Sequence, residues 1–204
     1  FEEKEITKAD GLPYTVYTPF KNKWLEKYKS MAPVLEYDAT DVFSNFHKCD
    51  FVFPSLEQIG FEKSPIKVKP HNLKFIANYQ DIRDFPALDQ TSYLSPHLRF
   101  GTVSIRKLVN WAFHKNDVFL SELIWREFFM QILFSFPKVV TQNFKTAYDG
   151  IKWRNNEADF QRWCSGTTGY PMVDAGMRQL NETGYMHNRV RMVAASFLCK
   201  HLLI

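Results

Sequence analysis

Three groups of residues in this sequence have the types and spacing to do chemistry. Glu122, Trp125 and Arg126 stand at i, i+3 and i+4, so a carboxylate, an indole and a guanidinium share one helical face. Leu123, Ile124, Phe128 and Phe129 make the same stretch apolar nearly all round, which marks a buried helix. A buried charge needs a partner. A polar ligand would serve, and so would an intrahelical Glu122–Arg126 pair beside a core tryptophan, worth only ~0.3–0.5 kcal/mol. Asn188, Arg191, Met192 and Ala195, three and four apart, aim an amide, a guanidinium and a thioether one way. A solvated stripe with one core methionine also accounts for that spacing. Thr91, Ser92 and Ser95 set hydroxyls beside free backbone N–H groups, chemistry that holds phosphate at a helix start. The same residue types cap and turn chains with no ligand present.

The elements that must position these groups read as helices. Pro171 suits a first helical position and Gly184 a left-handed stop, with Val173, Met177 and Leu180 on one apolar face between them. A second helix from about Met186 onward is expected to bury Val190, Val193, Ala194, Phe197 and Leu198. Asp117 is the expected cap of a helix that runs to about Phe134, and Pro137 ends it. Ile105, Leu108, Val109 and Ala112 mark another helix, and 72–84 reads as a further one, followed by a loop over 86–101. No strand alternation follows residue 70. Before it, residues 14–18 have strand composition, 21–29 read as a short basic helix, and 31–70, broken by four prolines, as a linker.

Composition narrows the function classes. In 204 residues, 45% apolar content means a globular chain, and 16% aromatics suggest ring-lined pockets or an aromatic core. A net charge of +4 permits a polyanionic partner without requiring one. Three cysteines without CxxC or zinc spacing argue against a disulfide framework or a metal site and for a reduced, cytoplasmic setting. No apolar run approaches the ~20 residues that cross a bilayer. The start at Phe1 and the end within a helical pattern suit a piece of something longer.

Taken together, Tyr14-Thr-Val-Tyr-Thr-Pro-Phe-Lys-Asn-Lys-Trp24, Thr91-Ser-Tyr-Leu-Ser-Pro96, Glu122-Leu-Ile-Trp-Arg-Glu127, Trp153, Thr168-Gly-Tyr-Pro-Met-Val-Asp174, Met177-Arg-Gln-Leu180 and Met186-His-Asn-Arg-Val-Arg-Met192 resemble the photolyase/cryptochrome family. Within it they are most similar to the class I cyclobutane pyrimidine dimer photolyases. The resemblance implies a mainly α fold: residues 1–30 close an α/β antenna domain, 31–70 link it, and 71–204 are the first part of a helical FAD-binding domain. It implies light-driven DNA repair, in which excited reduced FAD passes an electron to a flipped-out dimer and the ring splits. A blue-light photoreceptor of cryptochrome type, DASH-type included, is the alternative.

By the same resemblance Tyr79, Thr91, Ser92, Tyr93, Leu94, Ser95, Phe119, Glu122, Arg126, Asn188 and Arg191 hold FAD. Glu122, Trp125, Arg126, Tyr185, Asn188 and Met192 meet the lesion, and Arg83 and Arg189 touch the DNA backbone. Glu122 and Asn188 act in catalysis, and Trp153 matches the surface end of an electron relay. Asn188, Met192 and Glu127 favour the class I branch, whereas Tyr185 departs from its usual tryptophan. A second chromophore of folate or deazaflavin type would sit in the antenna domain, damaged DNA is the implied partner, and no obligate protein partner or membrane is implied. The 204 residues alone are expected to bind FAD weakly and to repair nothing.

Overall fold

The computed structural model describes residues 1–31 and 40–204. Among these residues the fold is mainly α, and no strand forms beyond one isolated bridge between Thr7 and Pro13. Two apolar clusters organise it.

The first cluster centres on α5 (Asp117–Ser135), which buries Phe119, Leu120, Leu123, Ile124 and Phe128. Its cap is Asn116, one residue before the expected Asp117; the Asn116 side chain accepts from the Phe119 N–H at 2.9 Å. The Asn116 amide also donates to the Ala77 carbonyl and to Gln80 Oε1, which ties residues 76–82 to the start of α5. Against α5 lie α4 (Ile105–Phe113), through Leu108 and Ala112, and α1 (Tyr17–Ser30), through Phe20 and Trp24. The strand expected over 14–18 is absent, because Tyr17 and Thr18 open α1. Burying Tyr17, Phe20 and Trp24 along one helical face outweighs the local β-propensity of Tyr, Thr and Val. Residues 1–30 therefore share a core with the helices that follow.

The second cluster joins α6 (Glu157–Ser165), α7 (Pro171–Thr183) and α8 (Asn188–Phe197) through Val173, Met177, Met186, Val190, Ala194 and Phe197. Pro171 opens α7, and Gly184 closes it in the left-handed region at φ 68°, both as expected. Gly176 lets α8 approach: a Cβ there would lie 2.3 Å from Val190 Cγ1. Asp174, buried in α7, accepts from the amides of Thr168 and Gly169 and from the Thr168 hydroxyl, so the turn before the helix is pinned to it.

Other expectations are corrected. The helix expected over 72–84 shrinks to a 3₁₀ turn, Ile76–Asn78, and one turn of α2 (Tyr79–Ile82). The loop expected over 86–101 contains α3 (Leu94–Arg99), anchored by buried Leu94. Helix α8 starts at Asn188, leaves Val193 exposed, and passes into a π turn, Leu198–Leu202. Of the expected linker, residues 32–39 lie outside the described residues. Beyond them comes a 3₁₀ turn, Thr40–Asn45, then exposed irregular chain to about residue 70. Among the described residues no helix is long and apolar enough to cross a membrane.

Candidate functional site

Tyr93 sets the geometry of the hydroxyl turn. It precedes α3 in the left-handed region at φ 52°, an uncommon place for a non-glycine residue. Its hydroxyl bonds to Asp89 and accepts from Lys69 Nζ at 2.9 Å, and its ring packs 4.8 Å from that of Tyr185. Just before it the Ser92 carbonyl accepts from the Asn72 N–H. The Thr91 hydroxyl is buried with no well-formed hydrogen bond. Burial pushes the Tyr185 hydroxyl above its usual range, with the nearby Thr91 hydroxyl acting in the opposite sense.

A hollow of about 700 Å³ opens between this turn and α8. Tyr93, Ser95, Tyr185, Asn188 and Arg191 all contribute to its wall, so the two ends of the sequence-based site meet there. Residues 65–69 form another wall, held at one end by Lys69 on Tyr93 and Asp89 and at the other by Ile66 against Gly184. Nothing in the local sequence marks this strap. Its place is set by contacts twenty or more residues away.

The α5 face lies outside that wall, which holds none of Glu122, Trp125 and Met192. Glu122 pairs with Arg83, Oε1 to Nη1 at 2.7 Å, rather than with Arg126. Arg126 instead donates to the Leu98 carbonyl at 3.4 Å. Tyr79 packs edge-on against buried Phe119, with the Arg83 guanidinium 5.4 Å from its ring centre. Burial, and then the Glu122 charge, push the Tyr79 hydroxyl up to about 12. Trp125 stacks face to face on Tyr17, centroids 3.5 Å apart, so α1 holds the indole.

The two parts are joined by a polar ladder. Arg83 reaches from Glu122 to Asp84, and Asp84 Oδ1 lies 2.6 Å from Arg189 Nε in the first turn of α8. Arg189 Nη1 and Asn188 Nδ2 then approach the Met192 sulfur at 3.7 and 3.9 Å. Buried His187 caps α8, its Nδ1 accepting from the Arg189 N–H, and burial holds its ring below the usual histidine value. Trp153 stands apart, partly exposed on irregular chain before α6, beside Arg154, whose N–H donates to the Leu203 carbonyl. Among the described residues no group of His, Cys, Asp and Glu is arranged to hold a metal.

Residues 119–204 match the FAD binding domain of DNA photolyase. The chain is 39% identical to the deoxyribodipyrimidine photo-lyase of Halobacterium salinarum, over 98% of this chain and 47% of that protein. A bacterial class III photolyase from Agrobacterium tumefaciens superposes on the whole chain with a TM-score of 0.71 at 33% identity, again over 47% of its own length. The helical body is of the photolyase/cryptochrome type. A Synechocystis cryptochrome is similar too, with a TM-score of 0.65 and 26% identity over all of this chain and 46% of that one. The chain thus spans about half the length of the curated photo-lyases it matches.

A photolyase-type FAD site fits the residues present. The buried Thr91 hydroxyl makes no well-formed hydrogen bond, with the Tyr185 hydroxyl near it, so it keeps capacity for a phosphate oxygen. Ser95 and Arg191 both line a hollow with room for part of a dinucleotide.

Proposed function

We propose that the full-length protein is a class I DNA photolyase, which splits cyclobutane pyrimidine dimers in DNA with light. The observation that carries this is the convergence of the hydroxyl turn and α8 on one hollow, next to the ladder that leads to Glu122. Thr91, Ser92 and Ser95 would bind the diphosphate of FAD, with Arg126 and Arg191 balancing its charge. Tyr79, Tyr93, Leu94 and Phe119 would shape the walls around it. Bound in reduced form, FAD supplies the light-driven electron that opens the cyclobutane ring.

The remaining roles belong to the chain itself. A lesion must leave the base stack to reach the hollow, at a cost of a few kcal/mol that is lowest for a damaged pair. Stacking on Trp125, worth ~1–3 kcal/mol per base, offsets that cost. Glu122 and Asn188 would hydrogen-bond the extruded bases, Tyr185 and Met192 would pack beside them, and Arg83 and Arg189 would hold the backbone. Trp153, at the surface, would carry electrons inward. An antenna chromophore of folate or deazaflavin type would occupy the remainder of the full-length protein.

Illumination of the reduced full-length protein with an oligonucleotide that contains a thymine dimer tests this. Restored thymine absorbance, turnover after turnover, is the expected result. Retained flavin without restored absorbance would assign the protein to the photoreceptors instead. Failure to co-purify with flavin would leave a helical nucleic-acid-binding module.

A further inference from the structure

The strip Glu122, Arg83, Asp84, Arg189 alternates in charge and carries none overall. Its middle carboxylate is the unusual member. Asp84 Oδ1 receives Arg189 Nε at 2.6 Å and faces Arg83 Nε at 3.5 Å, so two guanidiniums from separate elements aim at one oxygen. Arg83 follows α2, and Arg189 sits in the first turn of α8. Carboxylate and phosphate oxygens are alternative acceptors for the same guanidinium N–H groups. The Asp84 side chain is 54% exposed and that of Arg189 38%, so their contact opens to solvent. Exposed pairs of this kind contribute little to stability and exchange readily. The hydrogen bond from Arg189, with Arg83 beside it, holds the Asp84 carboxyl below the usual range and keeps it an anion.

We propose that Asp84 is a positioning residue that stands in for a DNA phosphate, aiming Arg83 and Arg189 at one point until a backbone phosphate displaces it. The inference rests on the repair function proposed above and adds a group which that function does not use. Until displacement the strip offers no net attraction to a polyanion. When a phosphate enters, the Asp84 carboxylate must swing away, and its charge opposes the newcomer. Asp84 therefore restrains binding to every duplex, damaged or not, and keeps the protein from lingering on DNA without a lesion.

Dark binding of the full-length protein to two duplexes, one undamaged and one with a single thymine dimer, tests this over a series of salt concentrations. Removing the charge with Asp84→Asn should tighten binding to both duplexes by roughly threefold to tenfold. The plot of log affinity against log salt should steepen by about one, as for one more effective phosphate contact. Asp84→Glu, which keeps the charge, should stay within about twofold of the parent on both duplexes. Unchanged or weaker binding by Asp84→Asn with the parent's salt slope would reduce Asp84 to a structural link between α2 and α8, and the proposal falls. If the parent itself binds neither duplex, the repair function fails first, a result obtained before any variant is made.

Discussion

Around α5 the chain packs ring on ring, whereas between α7 and α8 it packs by leaving a side chain out. Phe20, Trp24, Tyr17, Trp125 and Phe128 interlock over distances of about a hundred residues in sequence. Gly176 has no Cβ, and Val190 fills the space. Large rings carry much buried area each, so the first cluster is most sensitive to losing one. A helix pair set by one absent methyl group is instead sensitive to gaining it. The contrast bears on the site, because the first cluster holds Glu122 and Trp125 while the second holds Asn188 and Arg191. The ladder through Arg83, Asp84 and Arg189, the Tyr93–Tyr185 ring contact and the strap at residues 65–69 span the two.

The most disruptive change should be Phe20→Ala, which empties a fully buried ring position. Losses of about 3–5 kcal/mol are typical, and roughly 10 °C in melting temperature for a chain this size. Hydrogen exchange should speed up in α1, α4 and α5 well before α6, α7 and α8; equal acceleration everywhere would mean one cooperative core rather than two. Gly176→Ala should reverse the pattern. Alanine gains ~1 kcal/mol of helix propensity, but the clash with a stiff valine costs about 3, a net loss near 2 kcal/mol confined at first to α7 and α8.

Asp174→Asn sharpens the comparison by pH. Burial works to raise this carboxyl, yet its hydrogen bonds from Thr168 and Gly169, with Arg178 nearby, together bring it below the ordinary 3.8. A depressed value means the unfolded chain binds the proton more readily. The stabilisation is thus full above about pH 4 and fades as pH falls through the lower folded value. At neutral pH the substitution should cost about 1–2 kcal/mol by melting, and the gap between parent and variant should narrow below pH 4. A gap independent of pH would exclude the carboxylate charge as its source. Least severe is Asn116→Ala, which removes the α5 cap. About 1 kcal/mol is the expected loss, seen as fraying at the start of α5 and loosening of residues 76–82.

Helix boundaries set by one residue were legible in advance. Pro171 and Gly184 bound α7 as their backbone preferences require, and the apolar face of α4 is as its spacing indicates. The cap of α5 shifted by one because Asn116 and Asp117 are equally good acceptors, and only Asn116 also reaches Ala77 and Gln80. Strand propensity at 14–18 misled because a local scale cannot see Phe128 and Trp125 waiting across the fold. In the site, the family resemblance, not the residue types alone, sent the hydroxyl turn and α8 to one place; Tyr93, Ser95, Asn188 and Arg191 do line one hollow, while Thr91, Ser92 and Met192 are not in its wall. Their pairing did not follow from spacing: Glu122 looked to Arg126 four residues on, and the fold supplied Arg83. The strap at 65–69 and the carboxylate of Asp84 had no local signature at all, since their importance comes from neighbours distant in the chain.

The face-to-face stack of Tyr17 on Trp125 makes the amino-terminal helix a lever on α5. A second bond, from the Tyr17 hydroxyl to the Ser121 carbonyl at 2.8 Å, fastens that lever one turn earlier on α5. A tilt of α1 must therefore either break that stack and that bond or carry the indole with it, which couples the attitude of the first helix to the Glu122 face of α5.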